Sequence, residues 1–143
     1  MMRLLPVLAL ALATPAVAET DVFARAAGLY GSAVDPAQSC QSNPHRLGFL
    51  ASPPHAIFTW THPAASPSGD LADHARYDIL GADAGSITLR REGDPARTPD
   101  GRQPIWVLRL TQAPAGYCWG RADWPVVRCI DPAVRCDDSA PTS

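Results

Sequence analysis

Four cysteines, Cys40, Cys118, Cys129 and Cys136, constrain this chain more than any other feature. They form an even set, and three crowd between positions 118 and 136. The opening residues give the compartment. Arg3 supplies a basic start, Leu4 to Leu12 form an apolar run, and Pro15 precedes Ala16-Val17-Ala18. A basic start, a short apolar run and a small-x-small site are the layout of a secretory signal peptide. The run is too short for a membrane span. Residues 1–18 are therefore expected to be a leader, cut ahead of Glu19. An even cysteine set in an exported chain implies two disulfides. No C-x-x-C pair supports a zinc site. Four cysteines allow three pairings. Cys118 and Cys129 flank a short connection between expected neighbouring strands, which favours Cys118–Cys129 and leaves Cys40–Cys136. Cys129–Cys136 is the rival, because a local loop closes easily.

Residues 19–136 are expected to form a single domain, and the polar stretch 137–143 a disordered tail. Without the leader, 11 basic and 14 acidic side chains give a formal charge of −3, and every basic side chain is arginine. That balance gives no footprint for nucleic acid. No later apolar run is long enough to span a membrane. The chain is expected to be a soluble monomer, periplasmic or secreted.

The body of the sequence reads as short strands punctuated by turns. Thr20-Asp21 can cap a short helix that places Val22, Phe23, Ala26, Leu29 and Tyr30 on one face. Gly28-Leu29-Tyr30-Gly31 can instead begin the first strand. Strands are expected at His45 to Ala51, His55 to Thr61, Tyr77 to Leu80, Ser86 to Glu92, Pro104 to Thr111, Tyr117 to Arg121 and Val126 to Ile130. The alternation is strongest where Trp106, Leu108 and Leu110 interleave with Ile105, Val107 and Arg109. Trp106 is expected in the core. Residues 62–75 read as a long loop. The fold class is all-β: a small antiparallel meander, barrel or sandwich, with a short N-terminal helix and disulfide staples. Closure into a barrel is the first choice, because it removes exposed edges.

Gly28-Leu29-Tyr30 ahead of an antiparallel meander resembles the Gly-x-Trp start of lipocalin-like barrels, with Tyr30 where tryptophan is expected. The resemblance covers three residues. It implies a closed barrel and carries no function.

Signatures of chemistry are sparse. There is no nucleophile elbow, P-loop, dinucleotide fingerprint or H-E-x-x-H. Cys118-Trp119 lacks the flanking elements of a thiol protease. His62, Asp70, Asp73 and His74 share the expected long loop and could gather a metal ion, though no tight ligand spacing supports it. Most other aspartates, including Asp35, Asp94, Asp100 and Asp131, sit where a turn role suffices. The candidate site is Trp119, Arg121, Asp123 and Trp124. An arginine, a carboxylate and two indoles can bind a glycan fragment or a partner loop, or form a structural ion pair under a tryptophan lid. The expected function is a non-enzymatic binding or inhibitor-like module without a cofactor, acting on a protein or glycan partner in the envelope. The alternatives are a metal-assisted or acid–base hydrolase using His62, Asp70 and His74, and a passive envelope component.

Overall fold

A computed structural model of the 143-residue chain describes residues 16–66 and 69–136, with side chains from Asp21 onward. Most of the expected leader, and the expected tail 137–143, lie outside the described residues.

Eight antiparallel strands follow one another in chain order and close into a barrel. They are β1 (Gly28–Ser32), β2 (His45–Ala51), β3 (Pro54–Ala65), β4 (Leu71–Ala82), β5 (Ser86–Arg91), β6 (Trp106–Gln112), β7 (Ala115–Arg121) and β8 (Ile130–Arg135). Closure comes from β1 against β8, with Tyr30 opposite Arg135 and Ser32 opposite Ala133. A helix, α1 (Ala16–Ala26), precedes β1.

Period-two alternation builds the interior. Tyr30, Leu47, Phe58, Ile87, Leu89, Leu108 and Tyr117 point inward and are buried. Burying such side chains gives roughly 1.5–3 kcal/mol each. Close approach of β7 and β8 requires glycine at position 116, where a Cβ would strike the Ala133 carbonyl.

The two ends of the barrel differ. At one end the connections are short turns and α1 forms a plug. Val22 and Ala26 of α1 are buried on the core, and Phe23 packs on Phe49 with ring centroids 5.1 Å apart. All three lie beyond the expected cut, so a chain starting at Glu19 keeps the plug. The helix ends on Arg135, whose guanidinium donates to the carbonyls of Arg25 and Ala27 and to the Tyr30 hydroxyl. A cation there satisfies orphan carbonyls and opposes the helix dipole. Asp83 shapes the β4–β5 turn by accepting from the backbone N–H groups of Gly85 and Ser86.

At the other end the longer loops gather, residues 33–44, 92–105 and 122–129, beside the outer ends of β3 and β4. The first is latched to β3 by Asn43. Its amide donates to the His62 carbonyl at 2.9 Å and accepts from the His62 N–H at 2.7 Å. The disulfides are Cys40–Cys136 and Cys118–Cys129, with Cα atoms 5.5 and 5.2 Å apart. They tie the first loop to the end of β8, and β7 to the loop before β8.

Three expectations are corrected. Residues 62–75 are mostly strand: β3 and β4 run on as a long hairpin past a register shift between Thr59 and Ala64. The last strand is Ile130–Arg135, not Val126 to Ile130, and Val126 and Val127 sit in an exposed loop. Helix α1 starts ahead of Thr20-Asp21, so these residues do not cap it.

Candidate functional site at the open end

Two adjoining hollows open between the long loops. The first, of about 190 Å³, is lined by Phe58 and Trp60 of β3, Ala75 and Tyr77 of β4, and Tyr117 and Trp119 of β7, among others. The second, of about 360 Å³, lies between Tyr77, Trp106, Trp119 and Arg121 and the loop residues Asp94 and Ala96, with Asp131 at its edge. Tyr77, Arg91 and Trp119 form a wall common to both.

That wall is rigid because its rings support one another. Tyr77 and Trp119 stack at 5.6 Å with 23° between their planes. Phe58 meets Tyr77 at 5.2 Å and Trp119 at 5.6 Å. Trp106 meets Trp119 edge-on at 6.2 Å. Each such pair adds roughly 0.5–1.5 kcal/mol beyond area burial. The four rings come from β3, β4, β6 and β7, so only barrel closure brings them together.

The polar groups fall into three sets. In the floor, His45 Nε2 and the Tyr117 hydroxyl share a hydrogen bond of 2.5 Å, while His45 Nδ1 is buried without a partner. Burial lowers the His45 imidazole to about 4 and pushes the Tyr117 phenol well above its ordinary value. The imidazole is therefore neutral at physiological pH. In the wall of the second hollow, Trp106 Nε1 donates to Asp94 Oδ2 at 2.9 Å, and Asp94 Oδ1 accepts from the Ala96 N–H at 2.9 Å. Asp94 thus does more than shape a turn.

The third set is the candidate cluster. The Arg121 guanidinium lies 5.5 Å from the Trp106 ring centre and 5.8 Å from that of Trp124. It donates from Nε and Nη2 to the two carboxylate oxygens of Asp123, both at 2.8 Å. Those bonds hold the Asp123 carboxyl below its ordinary range. Arg128 covers Trp124 at 5.1 Å.

The structure brings Trp119, Arg121, Asp123 and Trp124 into one neighbourhood but gives them different surroundings. Trp119 and Arg121 line the hollows. Trp124 is half-buried against Trp106 and the two arginines. Asp123 faces a separate outer hollow beside Thr98 and Asp100. Trp106 is half-buried at the mouth, not in the deep core, because it is the first residue of β6 at the open end.

The residues weighed for metal binding do not converge. Among the described residues no three His, Cys, Asp or Glu side chains could hold a metal ion together. His62 is exposed on β3 with its backbone bonded to Asn43, Asp70 is exposed in the hairpin loop, and His74 pairs with its neighbour Asp73 at 2.9 Å.

Tyr77 and Arg91 escaped the sequence reading. In the sequence Tyr77 is only the start of an expected strand and Arg91 one residue of another. Only the register, which sets Tyr77 opposite Arg91, makes them a pair. No family model, curated protein or solved structure matches this chain.

Proposed function

We propose that the chain is an exported, non-enzymatic binding module that holds a small ligand at the open end of its barrel. The observation that carries this reading is the pair of aromatic hollows sharing Tyr77, Arg91 and Trp119. Small-molecule sites are concave, mostly apolar, and carry a few placed polar groups. Barrel mouths are among their preferred places. Export is supported by the leader pattern and by two bridges, which persist in oxidising compartments. Intact-mass measurement of the native protein tests it, with a chain starting at Glu19 expected. No described helix is long and apolar enough to cross a membrane.

Titration of the labelled protein with a set of small aromatic compounds tests the binding reading. The indole resonances of Trp60, Trp106 and Trp119 should move together, and Trp119→Ala should abolish the effect while the fold persists. A set that moves only exposed loop resonances would count against a ligand site in the mouth.

A protein partner is the second reading, favoured by Val126 and Val127, which are 67% and 77% exposed. They ride on a loop restrained by Cys118–Cys129 and by the Arg121–Asp123 pair. A restrained apolar tip loses little entropy on docking. A photo-crosslinker at Val127 should then trap one partner that a crosslinker at Thr88, on β5, does not. If both tests fail, the passive envelope role remains.

A further inference from the structure

The arginines on successive positions of β5 have opposite circumstances. Arg90 faces outward and meets Asp78, its register partner on β4, at 3.6 Å. Arg91 faces the hollows, and its register partner is Tyr77. Among the described residues the Arg91 guanidinium has no carboxylate within ion-pair distance and no hydrogen-bond acceptor. The Tyr77 hydroxyl likewise has no partner there. Burial pushes the Tyr77 phenol up to about 12, so it keeps its proton and can donate.

A guanidinium and a phenol on one wall, both without acceptors, call for an acceptor from outside the chain. Arginine presents two parallel N–H groups that match a carboxylate or a phosphate. The charges around the pair decide between these. Asp94 lines the second hollow with both side-chain oxygens engaged by neutral N–H donors and no cationic partner among the described residues. Asp131 adds a second carboxylate at the edge of the same hollow. Arg121 is already matched by Asp123. A dianion would therefore meet two carboxylates with only Arg91 unmatched, whereas a monoanion balances that one charge. Beside the pair, the Trp119 indole stacked on Tyr77 offers a flat apolar surface.

We infer that the open end binds a small aromatic monocarboxylate, with its carboxylate on Arg91 and Tyr77 and its ring against Trp119. This rests on the small-ligand reading above and names the ligand class.

The test uses phenylacetate, its neutral isostere phenylacetamide and inorganic phosphate, each titrated into the full mature protein while the four indole N–H resonances are followed. Phenylacetate should shift the Trp119 and Trp106 signals and bind at least tenfold tighter than phenylacetamide, and phosphate should leave them unmoved. Arg91→Gln should weaken phenylacetate at least tenfold, leave phenylacetamide unchanged and so remove the preference. Tyr77→Phe should weaken phenylacetate several-fold. An unchanged indole spectrum in the free variants confirms their fold. If acid and amide bind alike, or Arg91→Gln binds phenylacetate as the parent does, the anion inference fails while the small-ligand reading survives. If phosphate competes with phenylacetate at equal concentration, the monocarboxylate assignment fails. If neither phenyl compound shifts the Trp119 signal, both readings fall.

Discussion

Arg121 and Asp123 meet through two parallel hydrogen bonds of 2.8 Å, although only one residue separates them in the chain. The pair forms where β7 gives way to the stapled loop. It fixes the guanidinium between two indoles, so the arginine serves packing as well as charge. Arg121→Ala should cost about 1–2 kcal/mol from the two ring contacts alone, read as a lower urea midpoint. The ion pair adds a dependence on acid. With the Asp123 carboxyl held below its ordinary 3.8, its contribution is full above that pH and is lost as pH falls through the lower folded value. Asp123→Asn should remove this part of the acid sensitivity.

His45 predicts a second pH effect at milder acidity. The imidazole is buried and lowered from 6.5 to about 4. Between those values the unfolded chain takes up a proton that the folded chain refuses, so stability falls as pH drops through that window. The loss should be on the order of 3 kcal/mol, complete near pH 4. Urea melts at pH 7, 5.5 and 4.5 would read it. His45→Gln, which keeps a polar partner for the Tyr117 hydroxyl, should start less stable at pH 7 but decline less. A parent protein with equal stability at pH 7 and 4.5 would contradict a buried neutral imidazole.

Trp106 supports the buried Asp94 carboxylate. Trp106→Ala should cost about 2–3 kcal/mol, less than a deep-core tryptophan because the ring is only half-buried. Trp106→Phe keeps most of the ring area but removes the indole N–H, leaving a carboxylate oxygen short of a donor. It should cost about 1–3 kcal/mol, and Trp106→Phe combined with Asp94→Asn should cost less than the two single changes added. A strictly additive double-mutant cycle would show the two groups to be uncoupled.

The disulfides should differ in worth. Cys40–Cys136 spans 96 residues and Cys118–Cys129 spans 11. On the loop-entropy account the first contributes about 4–5 kcal/mol and the second about 3. Paired Cys→Ala variants compared by urea unfolding should follow that order. Losing the short bridge should also free the Val126–Val127 tip, seen as faster amide exchange there.

Much of this architecture is legible in residue order because barrel strands carry their orientation in alternation. His45–Ala51 and Ser86–Arg91 read directly, since apolar side chains recur at every second position between clear turns. The Cys118–Cys129 pairing reads from the short connection between them, although Cys129 lies in the loop before β8 and not on a strand. The long hairpin does not read, because its outer part has little to bury: Leu71 is 74% exposed and its neighbours are alanine, histidine and aspartate. Strand β8 is hidden by Pro132 and by Asp131, whose backbone is left-handed at φ 48°. Trp119, Arg121, Asp123 and Trp124 were visible as a cluster because they are near in sequence. Tyr77 and Arg91 were not, since their meeting depends on a hairpin register that composition does not encode.

The seam between β1 and β8 joins residues 105 positions apart, as Tyr30 and Arg135 do. Until Arg135 has left the ribosome, β1 lacks one neighbour and the sheet has two raw edges. A chain truncated before β8 would keep seven strands' worth of apolar surface with those edges exposed, a template for pairing with other copies. Helix α1 would lose the guanidinium that caps it in the same stroke. Completion of the barrel, docking of its plug and protection from self-association are thus one cooperative event that waits on a single late strand.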